Sequence, residues 1–177
     1  MTTRIPDALL SFLQRSGVPL TLADAGVEDM PLISANAAFT SLTGYATDEV
    51  IGRNCRFLQP ADGAGPVRTR IREFLAADPE NTERFLVPNQ RKDGSGFVNV
   101  LYLTKIYQDG HCAFVLGSQF DASRIDGRSD SLYDAALATD VRQISVLMGE
   151  SGYLMFGSVE ALATSAAMIA RNKGRQP

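Results

Sequence analysis

Cys55, in the run Gly52-Arg53-Asn54-Cys55-Arg56-Phe57-Leu58-Gln59, is the side chain best suited to covalent chemistry in this sequence. A lone cysteine is by default a small buried hydrophobe, and the neighbouring Arg56 tilts the balance only slightly toward reactivity. The other cysteine, Cys112, is far away in the chain, and the two have no metal-ligand spacing. With a single histidine, His111, cysteine–histidine catalysis would rest on that residue alone.

A second group of residues is polar where apolar ones are expected. Side chains alternate faces along a strand. If the segments around them are strands, one parity carries Phe85, Val87 and Asn89, then Asn99, Leu101 and Leu103, then Ala113, Val115, Gly117 and Gln119. Asn89, Asn99 and Gln119 then share a face with aliphatic neighbours. A buried amide is costly unless its donors and acceptors are met. One arrangement that meets them is a bound molecule whose polar edge alternates donors and acceptors, such as the pyrimidine edge of a flavin, its apolar rings lying against Leu101 and Val115. The same alternation admits a plainer arrangement, in which the amides cap backbone groups or face solvent at strand ends. The opposite parity (Val98, Val100, Tyr102, Thr104, Ile106, Cys112, Phe114, Leu116, Phe120) is also apolar. It calls for cover by terminal helices, a second subunit or both.

The elements that must position these groups follow from periodicity and breakers. Pro6–Ser16 reads as a short helix stopped by Gly17. Pro19–Ala23 and Pro31–Ser34 read as strands, Asn36–Thr43 as a helix ending at Gly44, and Asp48–Leu58 as short helical turns. Val67–Ala77 is a further helix, stopped before Pro79. Thr82–Lys92, Phe97–Tyr107 and Cys112–Phe120 read as three strands of a meander, joined through Asp93-Gly94-Ser95-Gly96 and Gln108-Asp109-Gly110. This order predicts an α+β fold, an antiparallel sheet with helices on one face. Beyond it, Ser131–Gly149 and Ser158–Asn172 read as amphipathic helices around a turn region, Gly149–Gly157.

The 177 residues, 45% hydrophobic, suit one core domain with short extensions. The boundaries read as 1–18, 19–122 and 123–177. A net charge of −3 gives no electrostatic reason to expect a nucleic-acid partner. A helix-turn-helix reader in the tail is the sharp alternative, but Ser158–Ala170 has one acidic and no basic residue. No run reaches the length of a membrane-spanning helix, and the start lacks the pattern of a signal peptide. A cytoplasmic location is expected, where thiols stay reduced.

The eight residues Gly52–Gln59 resemble the signature of LOV (light-oxygen-voltage) domains, the flavin-binding photosensory branch of the PAS superfamily. The resemblance runs from about Leu20 to Asp121. It includes Asn36-Ala37-Ala38-Phe39 and Gly44-Tyr45. It implies a five-stranded antiparallel sheet with short helices on one face, here with an N-terminal helix and a C-terminal helix pair added. It also implies bound FMN and a photoreactive Cys55 whose sulfur bonds reversibly to flavin C4a. Asn54 and Gln59 would touch the ribityl chain, and Arg56 and Arg72 the phosphate, which favours FMN over FAD. Asn89, Asn99 and Gln119 would contact the ring, with Gln119 also relaying the signal by rotating its amide. Arg68 and Arg70 have no role beyond solvated charge. Cys112 is assigned a structural place on the outer face.

Departures from the family pattern are Pro60 after Gln59 where glycine is usual, Ala23 for a commoner threonine or valine, and Val115 where bulkier residues are frequent. The smaller groups imply altered solvent access and adduct lifetime. The resemblance further implies a sensor that turns over no substrate, while the apolar outer face and the two striped tail helices point to a homodimer whose geometry or association changes with light. Roughly fifty residues after Ala122 are too few for a fused kinase or cyclase. A PAS redox or ligand sensor with an incidental Cys55 is the third reading.

Overall fold

The computed structural model describes residues 4–77, 83–122 and 152–155, together with single positions 139, 142, 143, 146 and 149. Helix α1 spans Asp7–Arg15. Pro6 precedes it with a helix-compatible φ of −58°, and Asp7 and Arg15 complement the helix dipole at its two ends. Strands β1 (Leu20–Asp24) and β2 (Leu32–Ala35) form an antiparallel pair. Then come α2 (Ala37–Thr43), α3 (Thr47–Val50), a 3₁₀ turn at Cys55–Leu58 and α4 (Val67–Ala76). The meander is β3 (Glu83–Gln90), β4 (Gly96–Gln108) and β5 (His111–Asp121). Asp109 and Gly110, at φ 50° and 79°, make the tight turn between β4 and β5, where two successive positive φ angles match the twist of a hairpin.

The five strands form the antiparallel sheet expected from the sequence, and they lie in the order β2-β1-β5-β4-β3. A sixth strand, β6 (Tyr153–Met155), departs from the predicted turn at Gly149–Gly157. It pairs with Ile106–Gln108 of β4. Among the described residues β3 pairs with β4 as far as Leu103. Further along β4 the backbone groups of Ile106–Gln108 find partners in β6. The predicted helix Ser158–Asn172 and most of Ser131–Gly149 lie outside the described residues.

The sheet separates two apolar layers. On one face Leu9, Phe12 and Leu13 of α1 pack on Leu20, Leu22, Val100, Tyr102, Ile106, Phe114 and Leu116. Among the described residues α1 therefore provides the cover that this face requires, although Leu86 and Val98 stay 56% and 44% exposed. On the other face Phe39, Val50, Leu58 and Phe74 meet Phe85, Val87, Leu103 and Val115. Phe74 and Phe85 stack edge to face at 5.7 Å.

Cys112 is not on the outer face. Lys105, Ile106 and Tyr107 pair with Val115, Phe114 and Cys112, so Ala113 is an extra residue in β5. Such a bulge reverses the parity of what precedes it. Cys112 accordingly packs with the inner layer and Ala113 with the outer one.

Candidate functional site

Between the inner face of the sheet and the helical layer lies a cavity of about 550 Å³, well within the range of small-molecule sites. Every residue expected from the sequence to face the flavin lines it: Asn54, Cys55, Arg56, Gln59, Arg72, Asn89, Asn99, Leu101, Val115 and Gln119. The sheet wall is built by parity. Thr21 and Ala23 come from β1, Val87 and Asn89 from β3, Asn99, Leu101 and Leu103 from β4, and Val115, Gly117 and Gln119 from β5. Two of the family departures, Ala23 and Val115, are direct register partners on this wall.

The three amides are buried and already engaged. Asn99 Nδ2 donates to Asn89 Oδ1 at 2.9 Å, and Asn89 Nδ2 donates to the Pro88 carbonyl at 2.9 Å. Asn99 Oδ1 accepts from the Phe120 backbone N–H at 3.2 Å. Gln119 Nε2 donates to Thr21 Oγ1 at 3.1 Å.

Gly117 makes room for that last contact. A Cβ there would lie 2.9 Å from Thr21 Oγ1 and 3.0 Å from Gln119 Nε2. Gly117→Ala is therefore expected to break the Gln119–Thr21 bond and to cost about 1–3 kcal/mol, as overpacking does in buried sites. Chemical denaturation of the variant checks this, and unchanged stability would contradict the close approach.

Cys55 opens the 3₁₀ turn on the opposite wall. Asn54 caps that turn, its Oδ1 accepting from the Arg56 N–H at 3.0 Å. Ile71 and Leu75 of α4 add apolar surface on this side. Burial pushes the Cys55 thiol up to about 12, because a low-polarity enclosure disfavours the thiolate. At neutral pH the group facing the cavity is a neutral thiol.

Exposed cations stand where the cavity meets solvent. Arg56 pairs with Asp29, with Nη1 2.6 Å from Oδ1. Arg72 and Arg68 form no ion pair among the described residues, and both line the cavity. Arg70 instead pairs with Glu83. Arg68 keeps the exposed, unpaired charge expected of it and in addition lines the cavity. Residues four apart share a helix face, while position 70 turns away, and that spacing was the signal for Arg68. Thr21 could have been found from its alternation with Ala23. Asp29, on a turn between β1 and β2, carried no such signal.

The donor set fits a flat heteroaromatic ligand with an anionic tail. It has amides along one apolar wall, a thiol across from them and guanidinium groups at the open end. No helix among the described residues is long and apolar enough to cross a membrane. The architecture is that of a PAS domain, and the PAS domain family model matches residues 24–124. Within that superfamily the chain belongs to the LOV domains.

It is 38% identical over 117 residues to blue-light-activated histidine kinase 1 of Erythrobacter litoralis, covering 66% of this chain and 32% of that protein. It is 36% identical over 117 residues to the blue-light photoreceptor of Listeria monocytogenes, covering 66% and 46%. The chain therefore spans less than half the length of these two relatives. The crystal structure of the Rhodobacter sphaeroides LOV protein superposes with a TM-score of 0.76 at 28% identity, covering 97% of each chain.

Proposed function

We propose that this chain is a blue-light sensor that holds FMN in the cavity and signals when the Cys55 thiol bonds reversibly to the flavin ring. The observation that carries this reading is the placement of Cys55 across one cavity from Asn89, Asn99 and Gln119, with Arg56 and Arg72 at its open end. A bound flavin supplies blue absorption and, once excited, an electrophilic ring carbon. Cys55 supplies the sulfur and, as a neutral thiol, also the proton that the ring takes up. Arg56 and Arg72 hold a terminal phosphate, with Arg68 adding charge, and so favour FMN over FAD. Asn89 and Asn99 meet the polar edge of the ring, Leu101 and Val115 its apolar body, and Asn54 and Gln59 the chain between ring and phosphate. Such a cycle turns over no substrate.

Gln119 reads out the event. Its amide can present either a donor or an acceptor, so it can follow a ring atom that changes from one to the other. Gln119 sits two residues from the end of β5, where the chain leaves the sheet. We infer that its rotation alters how β5 holds the following segment and thereby changes self-association of the chain. The exposed Leu86 and Val98 on the outer face favour such contacts.

The test is an absorption spectrum of protein prepared with flavin available, before and after blue light. The expected result is a yellow protein that bleaches and recovers in the dark. A colourless protein, or one that stays yellow under illumination, would overturn the reading. For the relay, Gln119→Leu should bleach to within about twofold of the unsubstituted protein while losing any light-induced change in elution volume on size exclusion. An intact light response in that variant would remove Gln119 from the pathway.

A further inference from the structure

The cationic end of the cavity has an acid built into it. Asp29 grips Arg56 through both carboxylate oxygens, with Nη1 2.6 Å from Oδ1 and 2.7 Å from Oδ2. Both residues line the cavity, alongside Arg68 and Arg72. The backbone that delivers the carboxylate is strained. Asp29 and Met30 have φ of 68° and 46°, two successive non-glycine residues in the left-handed region. Such conformations persist only where the surroundings over-determine them.

Here they do. Met30 N–H donates to the Val27 carbonyl at 3.1 Å, Leu32 N–H donates to the Arg53 carbonyl at 2.9 Å, and Asn54 Nδ2 donates to the Asp29 carbonyl. The turn is thus pinned to the residues just before Cys55. It presents its acid to one particular guanidinium.

We infer that Asp29 sets how strongly the cavity prefers a phosphorylated flavin over an unphosphorylated one, by competing with the phosphate for Arg56. The inference rests on the flavin reading above. A guanidinium has five N–H donors in a fixed fork, so Arg56 can bind a phosphate without releasing Asp29. It then attracts the phosphate with much of its charge already balanced, and the nearby carboxylate repels the incoming anion. The pair is half-exposed, 45% for Arg56 and 56% for Asp29. Solvent therefore screens the competition and keeps it in the range of a tuning effect. Arg68 and Arg72 remain as the attraction that Asp29 does not offset.

The experiment titrates the full chain, freed of flavin, with FMN and separately with riboflavin. It compares the unsubstituted protein with Asp29→Asn and Asp29→Gly. Asparagine and glycine both tolerate a left-handed backbone, so two independent variants keep the turn while removing the charge. Both should tighten FMN binding by roughly three- to fivefold, the scale of a half-exposed ion pair. Riboflavin binding should stay within about twofold, and the FMN gain should shrink at about 0.5 M salt, where surface charges are largely screened. FMN binding that weakens, stays unchanged, or moves in parallel with riboflavin would overturn the role of Asp29. If the unsubstituted protein binds neither flavin, the flavin reading fails first, and this inference with it.

Discussion

Alanine at position 55 should leave the protein yellow and abolish its reversible bleaching. The flavin would still have its amide wall, its apolar flanks and its arginines, so Cys55→Ala is expected to bind FMN within about threefold of the unsubstituted protein. What it lacks is the one thiol that lines the cavity among the described residues. Cys112 packs with the same apolar layer but is not part of the lining. Bleaching that survives in Cys55→Ala with the same recovery kinetics would move the chemistry to another group and defeat the assignment.

The state of the thiol makes a second demand on the same experiment. Cys55 is pushed from an ordinary 9.0 up to about 12 by burial. The neutral thiol is therefore the only form present from acid pH through about pH 9, and the thiolate appears only as pH climbs toward about 12. Bleaching yield in the unsubstituted protein should be flat between about pH 6 and pH 9. A yield that rises through a midpoint near neutrality would mean that an ionised sulfur attacks and would defeat the neutral-thiol assignment. The folding linkage has the same sign. In the unfolded chain the thiol ionises near 9.0, whereas in the folded chain it does not. Stability tied to this group is present below pH 9 and is lost as pH rises from there toward about 12.

The sheet wall of the cavity could be read in advance because strand alternation is a local rule. Asn89, Asn99 and Gln119 fall on the cavity side in the structure because each sits an even number of residues from aliphatic partners on an unbroken stretch of strand. The rule fails at Cys112 for a nameable reason. Ala113 is an extra residue in β5, and one inserted residue inverts the face of everything before it. Nothing in the run His111–Phe114 marks the bulge, since it depends on how β4 and β5 meet.

The strand at Tyr153–Met155 was hidden in the same way. Its glycine-flanked run reads as a turn, and it becomes a strand only by pairing with Ile106–Gln108 of β4, a contact distant in sequence. Asp29 is a third case. Its importance lies in reaching Arg56, 27 residues later, across a backbone turn whose left-handed angles no aspartate announces. Helical spacing, by contrast, was available for Arg68 and Arg72.

Asn36 carries more of the fold than its single polar side chain would indicate, and Asn36→Ala should be the most destabilising of the substitutions considered. The residue is completely buried. Its Oδ1 accepts from the N–H groups of Leu20 and Phe39, both at 3.0 Å, which starts β1 and caps α2. Its Nδ2 donates to the carbonyls of Val18 at 2.7 Å, Leu13 at 3.1 Å and Ser16 at 3.2 Å, which ties down the end of α1. One amide therefore joins the helix on the outer face, the strand that enters the sheet and the first helix of the cavity layer.

Truncation to alanine removes a helix cap, typically about 1 kcal/mol. It also strands buried backbone groups at about 1–3 kcal/mol each. Some of these regain partners as the end of α1 relaxes, so a net loss of about 3–5 kcal/mol is expected, a large share of the stability of a domain this size. Asn36→Asp isolates the donor half of the role. It keeps both acceptor bonds but turns a carboxylate toward three carbonyls, so it too should fall well below the unsubstituted protein. Urea denaturation of the three proteins, each freed of flavin, measures the differences. A loss under about 1 kcal/mol for Asn36→Ala would mean that the α1 junction is held by its apolar contacts through Leu9, Phe12 and Leu13 rather than by this amide.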